Sequence, residues 1–165
     1  MKKWNIRSMA KEIALILVLL VVLSNIISYL RKPELSSTKL PQIEAKLLDG
    51  NTFKVQEGKP LLVYFWAEWC PTCKWQSPNI ETIAQSYNVL TIAVNSGSDE
   101  AIKRHMRKQG LSFKVVNDWS GTYAKAFNVE VYPTVFMYDR KGELKFTEVG
   151  YTTTAGLLAR LKWLK

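Results

Sequence analysis

Hydrophobic positions divide the chain into one continuous apolar block and a longer stretch in which short apolar runs alternate with polar ones. The block covers residues 13–30, which carry no charge, and its first eleven positions are all apolar. A segment of this length is at the short end of what spans a bilayer, and it exceeds the apolar core of a typical signal peptide. The pattern therefore predicts a transmembrane anchor at 13–30 that follows a short cytoplasmic N-terminus at 1–12.

The residues around the block indicate its orientation. Four basic residues precede it, and Arg31 and Lys32 follow it, so the preference of basic flanks for the cytoplasm keeps the N-terminus inside. A cleaved signal peptide stays open as an alternative, although Ser24 and Ser28 are separated by large residues and form no clear cleavage site. No cysteine directly follows the block, so we expect no lipidated N-terminus. The rest of the chain is expected outside the cytoplasm.

Residues 31–42 are polar and carry Pro33 and Pro41, a composition typical of a linker. The stretch that follows, 43–165, is long enough for one domain with a real core. It contains no internal repeat and no low-complexity tract. The sequence therefore predicts an anchor, a linker and a single folded domain.

Apolar runs in this domain alternate with segments of helical spacing. Leu61–Trp66 is rich in aromatic and branched side chains and predicts a fully buried strand, and the run at 89–94 predicts a second one. The helical segment between them implies a right-handed parallel crossover. Alternating helices and buried strands, closed by a hairpin and a helix, predict a three-layer α/β domain. The other predicted elements are a hairpin at 43–55 around Asp49-Gly50, a helix from Ser98 to Gln109, a short strand at 113–116, a short helix at 122–127, strands at 134–138 and 143–149, and a last helix from Thr152.

The only two cysteines, Cys70 and Cys73, lie between the first buried strand and the helix that follows it. Free N–H groups and the helix dipole favour an anion at the start of a helix, where a thiolate has a lowered pKa. Cys70 is expected at the exposed start of the helix as the attacking thiolate, and Cys73, one turn later, is expected to point inward as the resolving thiol. Pro71 suits the first helical turn because its missing N–H costs nothing there. The apolar positions after Cys73 recur at a spacing closer to that of a helix than to that of a strand, namely at Trp75, Ile80, Ile83, Ala84 and Tyr87.

A C-x-x-C pair supports several chemistries. Half of a zinc site needs two further Cys or His ligands, and the chain offers only His105, which argues against structural zinc. Two soft thiolates hold copper(I) without further ligands, so this alternative stays open. An inert structural disulfide also stays open, although a loop this short restrains the unfolded chain little. A redox-active dithiol is favoured because C-x-x-C near a β-α-β pattern is typical of such centres.

The chain carries a formal net charge of +9, and without residues 1–30 there remain 19 basic and 13 acidic side chains. The densest basic cluster, at 103–108, is expected to spread over the outer face of a helix and to be solvated. Docking of this cluster to an acidic partner or to anionic lipid stays open. Nucleic acid is not expected as a partner of a domain outside the cytoplasm, and we assign no catalytic role to His105.

The segment 65–74, Phe-Trp-Ala-Glu-Trp-Cys-Pro-Thr-Cys-Lys, matches the active-site strand and helix start of the thioredoxin superfamily. Pro78 matches the proline inside the family's active-site helix, and 131–134, Val-Tyr-Pro-Thr, matches the loop whose proline is cis in this fold. Over about residues 40–165 the chain resembles the membrane-anchored TlpA/ResA-like thiol–disulfide oxidoreductases, which include cytochrome c biogenesis thioredoxins and suppressor-of-copper-sensitivity D proteins. The stretch 96–117 is similar to the helix and strand that the TlpA class inserts. The resemblance implies the thioredoxin fold, a central mixed sheet flanked by helices.

The same resemblance implies an extracytoplasmic enzyme that exchanges disulfides with protein substrates, more as a reductant than as an oxidant, with no cofactor beyond its own redox-active disulfide. It implies a single span of a bacterial inner membrane, a catalytic domain on the periplasmic side and a membrane redox partner that recycles the dithiol. Pro133 would lie against the cysteine pair and present the backbone of Tyr132 to a bound polypeptide. The alternative function is a copper(I)-binding module for metal tolerance, and no metal is assigned to the site. The predicted site residues are the catalytic pair Cys70 and Cys73 and the substrate-binding residues Trp69, Pro71, Thr72, Tyr132 and Pro133.

Two positions depart from the family pattern. Tyr64 stands where thioredoxin has a buried Asp before its cysteines, so proton transfer through that carboxylate is in doubt. Glu68 is the nearest acidic side chain in sequence, and we expect it to be an exposed loop residue. Thr134 stands where the cytochrome c biogenesis thioredoxins have an acidic residue, which argues against a dedicated role in the reduction of apocytochromes.

Overall fold

The apolar block near the N-terminus forms a single helix, α1 (Ile6–Leu30). Its segment Met9–Leu30 has 22 residues, and the most apolar window in it has a mean hydropathy of 2.7 and is not buried. A helix of this length rises about 33 Å, which is enough to cross the hydrocarbon core of a bilayer. The helix is therefore long and apolar enough to span a membrane, and the assignment of 13–30 as an anchor stays a prediction.

The structure, a computed structural model, describes residues 6–33, 37–41, 43–56 and 58–164. The chain divides into two compact units, Met1–Arg31 and Lys32–Lys165. The first unit holds α1, and the second holds all the strands and the other helices. Parts of the predicted segments lie outside the described residues, namely 1–5 of the cytoplasmic N-terminus, 34–36 and 42 of the linker, and Glu57 and Lys165 of the folded domain.

The second unit contains the predicted hairpin. Its strands, β1 (Ala45–Lys46) and β2 (Thr52–Phe53), pair antiparallel, although each is shorter than the sequence predicts. In the turn, Gly50 has a φ of +88°, a left-handed backbone that glycine adopts without steric cost. The carboxylate of Asp49 accepts the backbone N–H of Asn51 at 2.9 Å. The Asp-Gly pair therefore makes the turn as the sequence predicts.

The elements after the hairpin follow the predicted order. Ser98 is the N-cap of its helix, where its Oγ accepts the N–H of Ala101 at 3.3 Å, and Gly110 ends that helix with a φ of +66°. The active-site helix continues through Pro78, as predicted. The bounds are β3 (Leu61–Trp66), α2 (Pro71–Ala84), β4 (Asn88–Val94), α3 (Asp99–Gln109), β5 (Val115–Asp118), α4 (Thr122–Ala126), β6 (Thr134–Tyr138), β7 (Leu144–Val149) and α5 (Thr154–Trp163).

These strands form a five-stranded sheet in the order β5-β4-β3-β6-β7. The central strand β3 is parallel to β4, and β4 is parallel to β5. On the other side β6 is antiparallel to β3, and β7 is antiparallel to β6. The crossover from β3 through α2 to β4 is therefore the parallel unit that the sequence predicts, within the mixed sheet that the resemblance implies.

The core has two halves, one on each face of the sheet. The even-numbered residues of β3 pack with side chains of α2, α3 and α5, and the odd-numbered residues pack with side chains of α4 and the hairpin. All six residues of β3 are buried. Because both faces of this strand are covered, its sequence is continuously apolar instead of alternating.

The edge strand begins later than the sequence predicts. The prediction places it at 113–116, but β5 begins at Val115. The cause is Glu81 on α2, whose carboxylate accepts the backbone N–H groups of Ser112 at 2.8 Å and Phe113 at 3.0 Å. The Phe113 ring packs into the core. The strand prediction was therefore wrong at its first two residues, and the strand also continues two residues beyond the predicted end, to Asp118.

The buried face of α2 does not contain all the apolar positions that predict the helix. Trp75, one of these positions, is 75% exposed. Two polar side chains take part in the buried face because each has a hydrogen-bond partner. Gln76 Oε1 accepts the N–H of Thr152 at 2.8 Å, and the Ser77 hydroxyl lies 3.2 Å from that of Tyr64. The buried residues of α2 are Cys73, Gln76, Ser77, Ile80 and Ile83.

Candidate active site

The two cysteines lie at the start of α2. Cys70 is the N-cap of this helix, and its Sγ accepts the backbone N–H of Cys73 at 3.2 Å. The two residues form a disulfide. Pro71 occupies the first helical position, where no N–H is needed. The local sequence therefore puts a sulfur where helices ordinarily place a capping oxygen.

Both cysteines are buried. Cys73 is 1% exposed, in agreement with its predicted inward direction, but Cys70 is only 4% exposed. The expectation of an exposed Cys70 was therefore wrong. The cause is the neighbouring loop, because the carbonyl oxygen of Tyr132 lies 3.6 Å from Cys70 Sγ. The exposed residues Pro71 and Thr72 mark the side from which a partner can approach.

The loop beside the disulfide contains the predicted cis-proline. The peptide bond between Tyr132 and Pro133 is cis. The carbonyl of Pro133 accepts the N–H of Gly150 at 2.8 Å, and Thr134 continues the chain into β6, opposite Phe65 of β3. The loop is therefore attached to the sheet on both sides and holds the Tyr132 backbone next to the disulfide.

Aromatic side chains border the disulfide. Trp69 is 61% exposed, and its ring meets that of Tyr132 edge to face at a centroid distance of 5.8 Å. Burial raises the pKa of Tyr132, and the negative charge of Asp118 raises it further, so the phenol stays protonated. The structure thus brings all the predicted site residues around the disulfide, and their roles in binding stay predictions.

A serine that the sequence pattern did not single out supports the site. Ser96 is buried in the loop after β4, where its hydroxyl accepts the backbone N–H of Glu68 at 3.0 Å and donates to the carbonyl of Val94 at 2.9 Å. This bond holds the turn that leads into the disulfide. A signal was present, since parallel neighbouring strands bring their carboxyl ends to one edge of the sheet. The loop after β4 is therefore expected beside the loop after β3.

Asn95, in the same loop, was also missed. It has a φ of +46°, a left-handed backbone that is uncommon for a residue other than glycine. Its N–H donates to the carbonyl of Asp118 at 3.1 Å, and its own carbonyl accepts the indole N–H of Trp69 at 3.1 Å. Asn95 therefore orients the tryptophan that precedes the first cysteine.

A tyrosine takes the place of the family's buried carboxylate. Tyr64 is fully buried, and burial raises its pKa far above its usual value. It is therefore a neutral hydroxyl and does not act as a base. Glu68 is half-buried, not exposed as expected, because its backbone is tied to Ser96.

His105 packs close to the active-site strand. The histidine is half-buried on α3, and its ring centroid lies 5.6 Å from that of Trp66 at the end of β3. Burial lowers the pKa of His105, the negative charge of Glu68 opposes this, and the positive charges of Lys74 and Lys108 lower it further. The neutral imidazole is thus the form that the packing favours.

Metal binding has no support beyond the cysteines in the part of the chain that the structure describes. No group of three or more His, Cys, Asp or Glu side chains is placed there to hold a metal ion. A copper(I) site of two thiolates requires the reduced pair, whereas Cys70 and Cys73 are joined here as a disulfide. The copper alternative stays a prediction for the reduced protein.

The fold and the site together define a class of protein. A disulfide in a C-x-x-C spacing caps the helix after the central strand and faces a cis-proline loop. This is the arrangement of thioredoxin-fold dithiol proteins.

Comparisons with known proteins define the family within this class. The Redoxin family model matches residues 35–161, and the chain belongs to this family. The chain is 32% identical over 145 residues to a thioredoxin-like protein of Haemophilus influenzae, with 86% of each chain covered. It is 28% identical over 124 residues to the thiol-disulfide oxidoreductase ResA of Geobacillus kaustophilus, with 72% of this chain and 71% of ResA covered.

A solved structure supports the same conclusion. The pneumococcal exposed lipoprotein thioredoxin Etrx1 of Streptococcus pneumoniae is 29% identical and has a TM-score of 0.65, with 75% of this chain and 100% of that chain covered. The chain is accordingly a TlpA/ResA-like member of the thioredoxin superfamily and a protein thiol–disulfide oxidoreductase. Its partners include proteins with thiols that exchange with the dithiol.

Proposed function

We propose that this protein is a membrane-anchored reductant that transfers electrons from its dithiol to disulfides of proteins outside the cytoplasm. The observation that carries the proposal is the capping disulfide of Cys70 and Cys73, 3.6 Å from the carbonyl oxygen of Tyr132. In this proposal α1 spans a bacterial inner membrane once, with the N-terminus in the cytoplasm and the second unit on the periplasmic side. The length and apolar surface of α1 support the anchor.

Cys70 is the attacking residue in this proposal. A thiolate at its position accepts the N–H of Cys73 and lies at the positive end of the α2 dipole, and both interactions stabilise the anion. A bond forms between Cys70 Sγ and one sulfur of the substrate disulfide, while the other substrate sulfur leaves as a thiolate. The thiolate of Cys73 then attacks Cys70 Sγ and releases the second substrate thiol. Two electrons have passed to the substrate, and the protein is left as the disulfide.

The substrate polypeptide is proposed to bind across the exposed edge of the disulfide. Pro71 and Thr72 are exposed there. The backbone of Tyr132, next to the cis Pro133, is close enough to the disulfide to meet an extended chain whose sulfur has reached Cys70. Trp69 forms an exposed aromatic rim on the same side.

The small number of groups that stabilise the Cys70 thiolate supports a role as reductant. Among the described residues, the N–H of Cys73 is the donor that bonds Cys70 Sγ, whereas Pro71 has no N–H and Thr72 has no charge. A dithiol becomes strongly oxidising when its reduced form is strongly stabilised, as in DsbA. We therefore expect a reduction potential nearer to that of thioredoxin, about −270 mV, than to that of DsbA, about −120 mV.

The direction is tested by measuring this potential. The full-length chain in detergent is equilibrated in dithiothreitol and glutathione buffers, and its free thiols are alkylated and counted by mass. A midpoint near the thioredoxin value supports a reductant. A midpoint near the DsbA value contradicts the reducing role and indicates an oxidant.

The roles of the two cysteines are tested by trapping. In cells that express Cys73→Ala, the mixed disulfide between Cys70 and a substrate cannot be resolved, so adducts with extracytoplasmic proteins should accumulate. Cys70→Ala is the matched control and should trap none. Non-reducing gels followed by mass spectrometry provide the measurement. Equal trapping by both variants would contradict the assignment.

Repeated turnover requires a source of electrons, because every cycle leaves the protein oxidised. We propose a membrane redox partner that exposes a dithiol outside the cytoplasm and attacks Cys70 of the disulfide. Adducts of the Cys73→Ala variant should therefore include one integral membrane protein in addition to the substrates.

A further inference from the structure

An open groove lies at one edge of the sheet, beside the active site. It occupies about 620 Å³ at the carboxyl ends of β4 and β5. In open α/β sheets this edge is where ligands are bound. Its lining residues are Asn95, Gly97, Ser98, Asp99, Asn117 and Trp119.

The groove adjoins the disulfide through a single residue. Trp69 directly precedes Cys70 and donates its indole N–H to the carbonyl of Asn95, which lines the groove. A polypeptide that crosses the disulfide and the Trp69 rim therefore arrives at the groove. The groove lies to one side of Cys70, so it can receive the substrate on one side of the substrate cysteine only.

The charge of the groove is negative. Of its six lining residues, all within the described part of the chain, Asp99 is the only charged one. Its carboxylate is held in place by Asn117, whose Nδ2 lies 2.7 Å from Asp99 Oδ1 and 3.1 Å from the carbonyl oxygen of Gly97. The neighbouring carboxylate of Asp118 does not line the groove, because it accepts the backbone N–H groups of Tyr123 at 3.1 Å and Ala124 at 2.9 Å at the start of α4. The groove therefore favours a cation.

The N-terminus of α3, at the same place, does not reverse this preference. A helix N-terminus carries about half a positive charge. The first turn of α3 holds two acidic residues, Asp99 and Glu100, of which Glu100 is paired with Lys103 at 3.1 Å. The full negative charge of Asp99 exceeds the partial charge of the helix end, so the local sum is negative. The net positive charge of the whole second unit acts over a longer range and is screened beyond about 8 Å at physiological salt.

An aromatic face completes the site. Trp119 lines the groove and is 75% exposed, so its ring is accessible to a ligand. A Lys or Arg head group is attracted to an indole face, and the aliphatic stem of either side chain packs on apolar surface. A carboxylate and an exposed indole in one groove form a combination that suits a long basic side chain.

We propose that this groove binds a Lys or Arg side chain of the substrate polypeptide, near the cysteine that Cys70 attacks, and that it thereby selects basic sequences. This proposal rests on the proposed exchange with protein disulfides. Asp99 and Trp119 are its specificity-determining residues, and Asn117 and Asn95 position the carboxylate and the Trp69 rim.

The test uses full-length reduced protein in detergent and a set of nine-residue peptides. Each peptide is Gly/Ser-rich and carries a central cysteine joined by a disulfide to thionitrobenzoate, whose release is followed by absorbance. Lysine, its uncharged analogue norleucine, or glutamate is placed at each of the four positions on either side. In a single turnover the protein dithiol becomes a disulfide, and the peptide thiol and thionitrobenzoate are released. The second-order rate constant is measured for each peptide.

We expect lysine to increase the rate constant about 3- to 10-fold over norleucine at one or two positions on one side of the cysteine. Glutamate should lower it there. Raising the salt concentration should reduce the preference, because exposed charges are screened.

Variants identify the groove as the source of the preference. Asp99→Asn removes the charge but keeps an oxygen that accepts the Asn117 hydrogen bond, and it should lose most of the preference. Asp99→Glu should retain it. Trp119→Ala should also lose the lysine preference, and Trp119→Phe should keep part of it.

Two matched control variants lie elsewhere in the second unit. Glu44→Gln removes an exposed carboxylate of the hairpin, and Trp163→Ala removes an indole that is 73% exposed on α5.

The outcomes separate this proposal from the function on which it rests. Equal rate constants for lysine, norleucine and glutamate peptides would overturn the groove as a basic site while leaving disulfide exchange intact. A lysine preference that survives in both Asp99→Asn and Trp119→Ala would also overturn it. If the wild-type protein releases no thionitrobenzoate from any peptide, the proposed exchange itself fails. A circular dichroism melt of each variant confirms that it is folded.

Discussion

Two neighbouring strand–helix pairs of the domain, β3–α2 and β4–α3, begin their helices in the same way, but only the first carries a reactive group. In the β3–α2 pair Cys70 Sγ accepts the N–H of Cys73 at 3.2 Å, and in the β4–α3 pair Ser98 Oγ accepts the N–H of Ala101 at 3.3 Å. The two strands are adjacent and parallel. The N-cap is therefore a structural feature common to both pairs, and the exchange of oxygen for sulfur converts one cap into a redox site.

The surroundings of the two caps differ as well. Cys70 is covered by the loop that contains Tyr132, whereas Ser98 is exposed and lines an open groove. A covered sulfur reacts only with a partner that the adjacent surface holds in place, and an open polar groove is available to bind the rest of that partner. The β3–α2 pair thus supplies the reactive dithiol, and we propose that the β4–α3 pair supplies the groove that recognises the substrate.

The largest effect is expected when sulfur is exchanged for oxygen at the first cap. Cys70→Ser should keep the cap, because serine is a favoured N-cap residue, but it should reduce insulin turnover to the uncatalysed background. Under oxidising conditions it should also lose about 2 kcal/mol of stability, since a four-residue disulfide loop is opened. Insulin reduction and urea unfolding provide the measurements.

The control for this change is Cys70→Ala, which removes both the sulfur and the cap. It should be less stable than Cys70→Ser by about 1 kcal/mol. Equal stability of the two variants would mean that position 70 is not used as a cap. Turnover by Cys70→Ser would contradict the role of Cys70 as the attacking residue.

A smaller effect is expected at the second cap. Ser98→Ala removes the acceptor of the Ala101 N–H and should lower the free energy of unfolding by about 1 kcal/mol. The reduction potential should not change, because Ser98 does not contact the disulfide within the described contacts. Ser98→Asn, which retains a capping oxygen, is the control and should restore stability. A shift in potential of more than about 30 mV, equivalent to about 1.4 kcal/mol, would show that the two caps are not independent.

The smallest effect is expected where α3 packs against β3. His105 of α3 packs on Trp66 of β3, and burial lowers its pKa in the folded protein. As the pH falls below about 6.5, the unfolded chain therefore takes up the proton before the folded one does, and stability decreases. The loss of this stability should be complete once the pH has fallen below the pKa of His105 in the folded protein.

The decrease in stability on acidification is checked in two ways. The free energy of unfolding of His105→Gln should depend less on pH than that of the wild type between pH 7.5 and 5, as measured by urea unfolding. Because the chain has a single histidine, NMR follows its ring protons without overlap. A folded pKa above 6.5 would contradict the expectation.

Much of the fold could be predicted because its signals are local. Leu61–Trp66 and Thr134–Tyr138 have the predicted bounds, since a strand buried on both faces has a continuous apolar run. The helix Asp99–Gln109 begins and ends where its polar cap and its glycine indicate. Hydrogen bonds three or four residues apart decide such boundaries, and the sequence contains both partners side by side.

The structure departs from the sequence pattern where distant residues meet. Glu81 takes the N–H groups of a segment about thirty residues later, which delays β5. Gln76 finds its partner at Thr152, which lets a polar side chain take part in the buried face while Trp75 points outward. Periodicity cannot reveal either contact, because a hydrogen bond offsets the cost of burying a polar group only after the two segments have come together.

The class of chemistry follows from the local sequence. Two cysteines at the start of a helix after a buried strand lead to a dithiol, because the spacing puts both sulfurs within one turn and the helix end favours a thiolate. The tertiary structure decided how accessible that dithiol is and which groove adjoins it. Cys70 is covered because a loop some sixty residues later closes over it, and the groove exists because two parallel strands end at the same edge. Both depend on contacts between segments that are distant in the sequence, and the burial and volume that result are fixed only when those segments pack.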